Sequence, residues 1–181
     1  MHQTSHPSAL LIQHLTAFNQ LPEGPILDLA CGYGRNGLLL ANIGHNVLFA
    51  DRNETALATV QQQLSAYSTP SSSRCWPCDF EQGSNPLAEQ TFAAAIVVNY
   101  LHRPLLPWLA EAIEPGGIIL YETFLTAQAQ LGKPSNPDFL LHPDELAHAF
   151  SGWQALHYYE GECASPHRFV AQLVARKPTI E

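Results

Sequence analysis

A glycine-rich turn and two acidic residues near the start of the sequence have the types and spacing needed to bind a small cofactor. Gly32, Gly34 and Gly37 form the pattern G-x-G-x-x-G, which is common in nucleotide-binding folds. Asp51 ends a later apolar run, where a carboxylate can accept hydrogen bonds from the two hydroxyls of a ribose. Asp28 lies four residues before Gly32, where a carboxylate would repel a pyrophosphate and attract an ammonium or sulfonium group. This charge pattern favours S-adenosylmethionine, which carries a ribose and both kinds of cation but no phosphate.

The residues around the turn predict the elements that would hold these side chains in place. An apolar run over residues 26–30 leads into the turn, a helical pattern follows, and a second apolar run covers residues 47–50. This order indicates a strand, a tight turn, a helix and a second, parallel strand. The turn would then lie at the carboxyl ends of the strands, where open α/β sheets bind their ligands.

The segment ILDLACGYGR resembles the first motif of class I S-adenosylmethionine-dependent methyltransferases, and the segments GYGRN, NYLHRP and YETF resemble the small tellurite-resistance-type branch. The resemblance is good over residues 20–125 and looser elsewhere. It implies a Rossmann-like α/β fold with a doubly wound, mostly parallel, seven-stranded sheet, helices on both faces and a C-terminal antiparallel hairpin. We expect a single domain over residues 1–181.

The same resemblance implies which residues bind S-adenosylmethionine. Asp28 would hold the methionine ammonium, Asp51 the ribose and Asp79 the adenine amino group, while Arg35 could pair with the methionine carboxylate and Asn99 would lie along the methionine arm. The full set of predicted cofactor-binding residues is Asp28, Ala30, Cys31, Gly32, Gly34, Arg35, Asp51, Arg52, Asp79, Phe80 and Asn99. Many relatives carry glycine at the position of Ala30.

Candidate catalytic residues follow the fourth predicted strand. Methyl transfer mainly requires the acceptor and the methyl group to be aligned, and a base is needed only if the acceptor must lose a proton. His102 is the preferred base because an imidazole titrates near neutral pH, Tyr100 is a second candidate, and Arg103 could steer an anionic acceptor. Glu122 and His167 are further candidates at the rim. A lone histidine after a strand can equally be structural.

Composition limits the partners of this chain. Its 181 residues contain 8 Lys and Arg against 16 Asp and Glu, a formal net charge of −8, which disfavours nucleic acid as a substrate. Four basic residues could still cluster: Arg35, Arg103, Lys133 and Arg168. No apolar run approaches the ~20 residues of a membrane span, and the first residues do not resemble a signal peptide, so we expect a cytoplasmic protein with a small-molecule substrate. We expect no metal site: His2 and His6 lie in a terminal tail, and Cys75 and Cys78 lie on a predicted strand.

The remaining elements follow from hydrophobic periodicity and turn residues. The N-terminal 20 residues contain a helix over residues 8–19 capped by Ser8, and residues 68–73 form a flexible connector. Residues 125–142 are a long loop that we interpret as a substrate-side lid, followed by a helix that starts at His142 and Pro143. Further elements are a helix over 53–66, strands over 74–80, 92–99 and 118–122, a helix over 105–113, and strands over 153–160 and 168–176 joined by a turn over 161–167.

Two alternatives to a methyltransferase remain open. The first is an NAD(P)-dependent oxidoreductase, which would use the same glycine spacing. The second is a non-catalytic adenosylmethionine-binding subunit that stabilises a partner. The methyl acceptor and the oligomeric state are left open.

Overall fold

A computed structural model of the chain describes residues 6–66 and 72–179. Seven strands form one sheet in the order β3-β2-β1-β4-β5-β7-β6. The strands are β1 (Ile26–Leu29), β2 (Val47–Asp51), β3 (Arg74–Pro77), β4 (Phe92–Val98), β5 (Ile113–Phe124), β6 (Gln154–Ala164) and β7 (His167–Arg176). The first five pair in parallel, and β7 pairs antiparallel with both β5 and β6. The predicted fold class, including the C-terminal antiparallel hairpin, is confirmed.

Five α-helices and three short 3₁₀ segments accompany the sheet. The helices are α1 (Ala9–Gln13), α2 (Arg35–Asn42), α3 (Glu54–Ser65), α4 (Leu105–Ala112) and α5 (Glu145–Ala149), and the 3₁₀ segments are Leu15–Asn19, Thr126–Gln130 and Pro137–Phe139. Helix α3 begins as expected, because the Asn53 side chain accepts a hydrogen bond from the Ala56 N–H.

The central strands of the sheet are buried on both faces by two apolar clusters. On one face, α1, α2 and α3 pack residues such as Leu11, Leu40 and Val60 against Phe49. On the other face, α4 and α5 pack against the same strands. Burial on both faces explains why β4 is apolar along its whole length, since each of its side chains meets one of the two layers.

The N-terminal helix is shorter than predicted. Helix α1 ends at Gln13, and the chain continues as a 3₁₀ segment over Leu15–Asn19. The Arg176 guanidinium donates to the backbone oxygens of Ala17 and Gln20, which takes these carbonyls out of a regular helix. Ser8 is the N-cap residue, but its side chain makes no capping hydrogen bond.

The predicted turn over residues 161–167 is also wrong. Strand β6 runs to Ala164 and β7 starts at His167, so the turn contains only Ser165 and Pro166. The His167 Nε2 lies 2.6 Å from a Glu162 carboxylate oxygen across the hairpin, a contact that favours the longer strands.

The predicted lid over residues 125–142 contains two 3₁₀ segments and is closed at its base by a bridge between Leu125 and Leu141. Leu140 and Leu141 are buried, so the end of the segment belongs to the core. Helix α5 begins two residues later than expected, after Asp144, because the Glu145 carboxylate accepts the His142 N–H ahead of the helix.

Several predictions fall on residues that the structure does not describe. His2 and residues 68–71 of the predicted connector lie outside the described ranges. Between residues 6 and 66 and between 72 and 179, no helix is long and apolar enough to cross a membrane.

Candidate functional site

A pocket of about 230 Å³ opens at the carboxyl edge of the parallel strands. Its lining comes from the ends of β1, β2, β3 and β4, which is where a doubly wound sheet binds ligands. Seven predicted site residues are in this lining, and two further residues complete it: Ala30, Asp51, Arg52, Asp79, Phe80, Asn99 and Tyr100, with Cys78 and Glu81. A wider and more open depression of about 590 Å³ adjoins the pocket and shares Arg52, Cys78 and Asp79 with it.

Asp51 is held in a fixed orientation at the end of β2. Its Oδ2 accepts the Gly32 N–H at 2.7 Å, and its Oδ1 accepts the Asn53 N–H at 2.8 Å. Each carboxylate oxygen can accept more than one hydrogen bond, so the side chain can still accept from the hydroxyls of a ribose. The residues present therefore fit an adenosine-containing cofactor.

The three glycines of the pattern have two different environments: Gly32 has open space beside it, whereas Gly34 and Gly37 are closely packed. A Cβ at Gly32 would meet no atom within 4 Å, so this position is open towards the turn. A Cβ at Gly34 would lie 2.8 Å from Val60, and one at Gly37 would lie 2.5 Å from Phe49. Gly34, which was expected to let the backbone approach a cofactor, also allows α2 to pack closely on Val60 of α3 and Phe49 of β2.

Asp28 is buried beneath the start of α2, with 2% of its surface exposed. Its Oδ2 accepts the Gly37 N–H at 2.8 Å, which anchors the first turn of the helix to β1. Burial raises its pKa to about 7, although the Gly37 N–H and Arg35 act in the opposite direction. Asp28 is not among the residues that line the pocket, so its predicted contact with a methionine ammonium stays a prediction.

Ala30 and Asn99 are two non-glycine residues with left-handed backbone conformations, and both line the pocket. Their φ angles are 51° and 59°. They end the neighbouring strands β1 and β4, and the Asn99 N–H donates to the Glu122 oxygen of β5 at 2.8 Å. Such strained residues are common at functional sites, where the surrounding structure holds them in place.

Asp79 and Phe80 form the side of the pocket next to β3. The Asp79 carboxylate accepts the Glu81 N–H and a hydrogen bond from the Gln82 side chain, and Arg52 Nη1 lies 3.9 Å from it. Phe80 is buried and packs edge-to-face on Trp76. The Arg52 side chain is 65% exposed.

Tyr100 lines the pocket, whereas His102 does not. Burial and the neighbouring Glu81 carboxylate raise the pKa of Tyr100 well above its usual range, so its phenol stays protonated at neutral pH. Its single O–H donates to Glu81 Oε1 at 3.4 Å, so Tyr100 is a poor base and can donate to a ligand only by giving up this long hydrogen bond. The His102 backbone oxygen accepts the Leu105 N–H at the start of α4. The preference for His102 as a base gains no support from its position.

Arg103 is occupied by contacts within the protein. Its Nε and Nη2 donate to the two Glu145 carboxylate oxygens at 2.7 and 3.0 Å. Its Nη1 and Nη2 also donate to the backbone oxygens of Asp138 and Leu140. Four of the five N–H groups of the guanidinium are thus engaged, which leaves little capacity for the predicted steering of an anionic acceptor.

A buried polar cluster lies on the α1–α3 face at the same edge of the sheet. Glu122 is 1% exposed, and its Oε1 lies 3.2 Å from Arg168 Nη2. Its Oε2 accepts a hydrogen bond from the Gln172 side chain at 2.5 Å. Arg35 is electrostatically coupled to both Glu122 and Arg168, so two of the four basic residues expected to cluster do come together. Glu122 was expected as a candidate base, whereas its pairing with Gln172 was not predicted.

Cys75 and Cys78 lie on opposite faces of the sheet, and their thiols are partly buried. Cys75 packs in the cluster on one face of the sheet and Cys78 in the cluster on the other, as expected for a strand. Burial raises the pKa of the Cys31, Cys75 and Cys78 thiols, so they stay protonated at neutral pH. Within the described part of the chain, no three His, Cys, Asp or Glu side chains are grouped to hold a metal ion.

Three solved structures show the same fold. TehB from Haemophilus influenzae matches 93% of this chain with a TM-score of 0.73 and 20% identity, and this chain spans 61% of that protein. Magnesium protoporphyrin IX methyltransferase from Synechocystis PCC 6803, with bound SAM, matches 92% of this chain and 76% of its own, with a TM-score of 0.65 and 15% identity. The [4+2]-cyclase SpnF matches 99% of this chain and 86% of its own, with a TM-score of 0.66 and 15% identity.

A comparison with models of protein families identifies the family of this chain, whereas a comparison with curated protein sequences gave no match. The family model for tellurite resistance protein TehB matches residues 12–172, which is most of the chain. In the structure, Asp51 and Asp79 line the pocket, and Asp51 accepts a hydrogen bond from Gly32 in the glycine turn. The chain therefore belongs to the tellurite resistance protein TehB family.

Proposed function

We propose that this protein transfers a methyl group from S-adenosylmethionine to a small-molecule acceptor. The observation that carries the proposal is the pocket at the carboxyl edge of the sheet, where Asp51 is pre-oriented by two backbone N–H groups beside the glycine turn. Family membership supports the same activity. The Synechocystis neighbour is crystallised with this cofactor.

Each end of the pocket would hold a different part of the cofactor. Asp51 would accept from the ribose hydroxyls, Asp79 from the adenine amino group, and Phe80 would supply apolar contact beside the ring. Asn99 lies at the opposite side, towards Arg35 and the polar cluster. When bound, S-adenosylmethionine supplies a methyl group on a positively charged sulfur, a good leaving group.

The protein has to align the acceptor and keep water out. Asn99 and Tyr100 occupy the rim where an acceptor would enter, and the protonated Tyr100 hydroxyl can orient the acceptor by exchanging its long hydrogen bond to Glu81 for one to the acceptor. The acceptor is a small molecule, possible examples being an oxyanion or a thiol, because the chain has few basic residues with which to bind a polyanion.

The two alternatives predict different ligands. A dinucleotide would place a pyrophosphate at the turn, above the buried Asp28 and beside Asp51, and the carboxylates there oppose it. A non-catalytic subunit would bind the cofactor without turnover. The [4+2]-cyclase neighbour shows that this fold also serves other reactions, so turnover has to be tested separately from binding.

The deciding experiment is calorimetric titration with S-adenosylhomocysteine and, in parallel, with NAD⁺. We expect micromolar affinity for the first, typical of a specific small-ligand site, and no binding of the second. Binding of NAD⁺ alone would overturn the proposal. If S-adenosylhomocysteine binds, a panel of small oxyanions, thiols and carboxylic acids should then be tested with labelled S-adenosylmethionine for methyl transfer.

Replacing Asp51 tests the ribose assignment. We expect Asp51→Asn to weaken S-adenosylhomocysteine binding by roughly 10- to 100-fold, because charged hydrogen bonds to the hydroxyls are lost. The exposed Asp138→Asn serves as the matched control, and thermal unfolding of both variants checks that the fold is retained. An unchanged affinity in a folded Asp51→Asn protein would exclude this role.

A further inference from the structure

In the pair of Glu122 and Arg168, Glu122 is buried and Arg168 is partly exposed, and their hydrogen-bonding groups are not all paired. Both Glu122 carboxylate oxygens are used, one by Arg168 Nη2 and the other by Gln172. The Arg168 Nε–H is buried as well, yet among the described residues no acceptor lies within hydrogen-bond distance of it. A buried charged donor without an acceptor is costly, so this N–H marks a place where an acceptor atom would be favourable.

The unpaired N–H lies close to the cofactor pocket. The Glu122 backbone oxygen accepts the Asn99 N–H, so the pair is one hydrogen bond away from the pocket lining. Arg168 precedes Phe169, whose backbone N–H donates to Gln128 in the segment we interpret as a lid. Glu122 is thus a neighbour of a residue in the pocket lining, and Arg168 is a neighbour of a residue that contacts the predicted lid.

The local charge is positive. Arg35 begins α2 beside the pair, and although burial lowers its pKa, the nearby Glu122 and Asp28 carboxylates oppose this effect and keep it charged. Arg35 and Arg168 carry two positive charges, which are opposed by the Glu122 carboxylate and in part by Asp28, whose pKa of about 7 leaves it partly protonated at neutral pH. The remaining positive charge suits a singly charged anion, and the planar guanidinium favours a carboxylate.

We propose that Arg168, assisted by Arg35, forms a binding subsite for a carboxylate group at the edge of the cofactor pocket. The proposal deepens the proposed function and rests on it, because a carboxylate can reach this place from two sources. One is the methionine part of S-adenosylmethionine, and the other is a carboxylate on the methyl acceptor. Both would supply the oxygen that the Arg168 Nε–H lacks.

The arginine Nε–H signals of the ¹⁵N-labelled protein test the subsite directly by NMR. The probes are S-adenosylhomocysteine, 5′-methylthioadenosine, which lacks the amino-acid carboxylate, and sodium acetate. A shift of the Arg168 signal with the first probe but not the second assigns the cofactor as the source. A shift only when acetate is added to the protein loaded with S-adenosylhomocysteine assigns the acceptor. The Arg103 signal, held by Glu145, should stay unchanged in every titration.

One result would overturn the inference. This is an Arg168 signal that responds neither to S-adenosylhomocysteine nor to acetate at roughly 50 mM, a concentration well above a millimolar dissociation constant. If the proposed function itself is wrong, the backbone signals around Asp51 would not respond to S-adenosylhomocysteine. The acetate titration of the unloaded protein would still decide whether the subsite exists.

Two substitutions separate this role from a purely structural ion pair. Arg168→Lys keeps the charge but removes the Nε–H, and we expect roughly tenfold weaker carboxylate binding. Glu122→Gln removes the competing negative charge, and we expect carboxylate binding to become several-fold tighter. The exposed Arg74→Lys is the matched control. A structural pair would lower the unfolding temperature in both variants and leave affinity unchanged, which would contradict the inference.

Discussion

The carboxyl group of Asp28 is almost completely buried and has almost no contact with water. Burial raises its pKa to about 7, the Gly37 N–H and Arg35 lower it, and the Asp51 carboxylate raises it further. Near neutral pH the protein is thus a mixture of molecules with Asp28 protonated and molecules with it ionised. The arrival of a positively charged ligand nearby would favour the ionised form, so cofactor binding should release a proton.

This shift makes stability depend on pH. In the unfolded chain Asp28 ionises near its ordinary pKa of 3.8, whereas in the folded protein it keeps its proton up to about pH 7. Because the folded state binds more protons between these values, its stability is highest at the acid end and falls as pH rises from about 4 to 7. We expect Asp28→Asn to remove this fall and to be more stable at pH 8 by roughly 1 to 4 kcal/mol.

Urea unfolding of wild type and Asp28→Asn at several pH values between 5 and 8 measures the effect. The difference in unfolding free energy should grow with pH and level off above 7. A difference that does not vary with pH would mean that Asp28 ionises normally in the folded protein.

Ala30 gives a second prediction that concerns a single residue. Its φ of 51° lies in the left-handed region, which costs a residue with a Cβ about 1–2 kcal/mol, while glycine costs roughly 0.5–1 kcal/mol in chain entropy. We expect Ala30→Gly to stabilise the protein by about 0.5–1 kcal/mol, measured by urea unfolding. Ala110→Gly, within α4, is the control and should destabilise by a similar amount. A loss of stability in Ala30→Gly would show that the Ala30 methyl packs usefully.

At the scale of elements, Arg103 joins three parts of the chain that are far apart in sequence. It leads into α4, binds the backbone of the predicted lid at Asp138 and Leu140, and pairs with Glu145 at the start of α5. Burial raises the pKa of Glu145, but Arg103 and the His142 N–H outweigh burial and lower it. The guanidinium therefore fixes how residues 126–141 lie over the edge of the sheet.

Arg103→Lys tests this role, because lysine cannot make the same set of hydrogen bonds. We expect a loss of about 1–2 kcal/mol in unfolding free energy, since the pair is only partly buried. Hydrogen exchange of residues 126–141 should become faster, whereas Arg74→Lys should leave it unchanged. If exchange in this segment stays slow, the Leu125–Leu141 bridge and the buried leucines hold it without Arg103.

The elements differ in how well the sequence predicts them. Strand β4 and the turn before α2 are predictable because an apolar run and a glycine pattern each have a single physical interpretation. The contacts of Arg103 are not, because their partners lie 35 to 42 residues away in a segment without periodicity. The pairing of Glu122 with Gln172 depends on the register between β5 and β7, which only the folded sheet sets. For Glu122 and Gln172 a signal was present in the sequence, because each is a polar residue within an apolar strand.

For the whole molecule, the strand nearest the C-terminal end of the described residues, β7, lies inside the sheet. Strand β7 separates β5 from β6, and its side chains enter both apolar clusters, Val174 on one face and Leu173 on the other. Arg176 also donates to Gly116 and to Ala17 on the N-terminal segment. The core is therefore incomplete until nearly the whole chain is present.

Truncation provides the corresponding test. A chain ending at residue 164 lacks β7 and should not unfold cooperatively, as measured by circular dichroism during urea titration. A chain ending at residue 177 keeps every strand and should unfold cooperatively, with stability close to that of the full chain. Cooperative unfolding of the shorter chain would show that β1 to β5 form an independent folding unit.

Strand β6 also has a consequence for handling the protein at high concentration. It is an edge of the sheet, eleven residues long, with Tyr158, Tyr159 and Leu156 partly exposed. Such an edge can pair with a second chain, and the charge of −8, to which Glu160 and Glu162 on this strand contribute, opposes that by repulsion. Acidification neutralises the carboxylates and removes the repulsion, so the protein should stay colloidally stable in mildly alkaline, low-salt buffer and precipitate first as the solution becomes acidic.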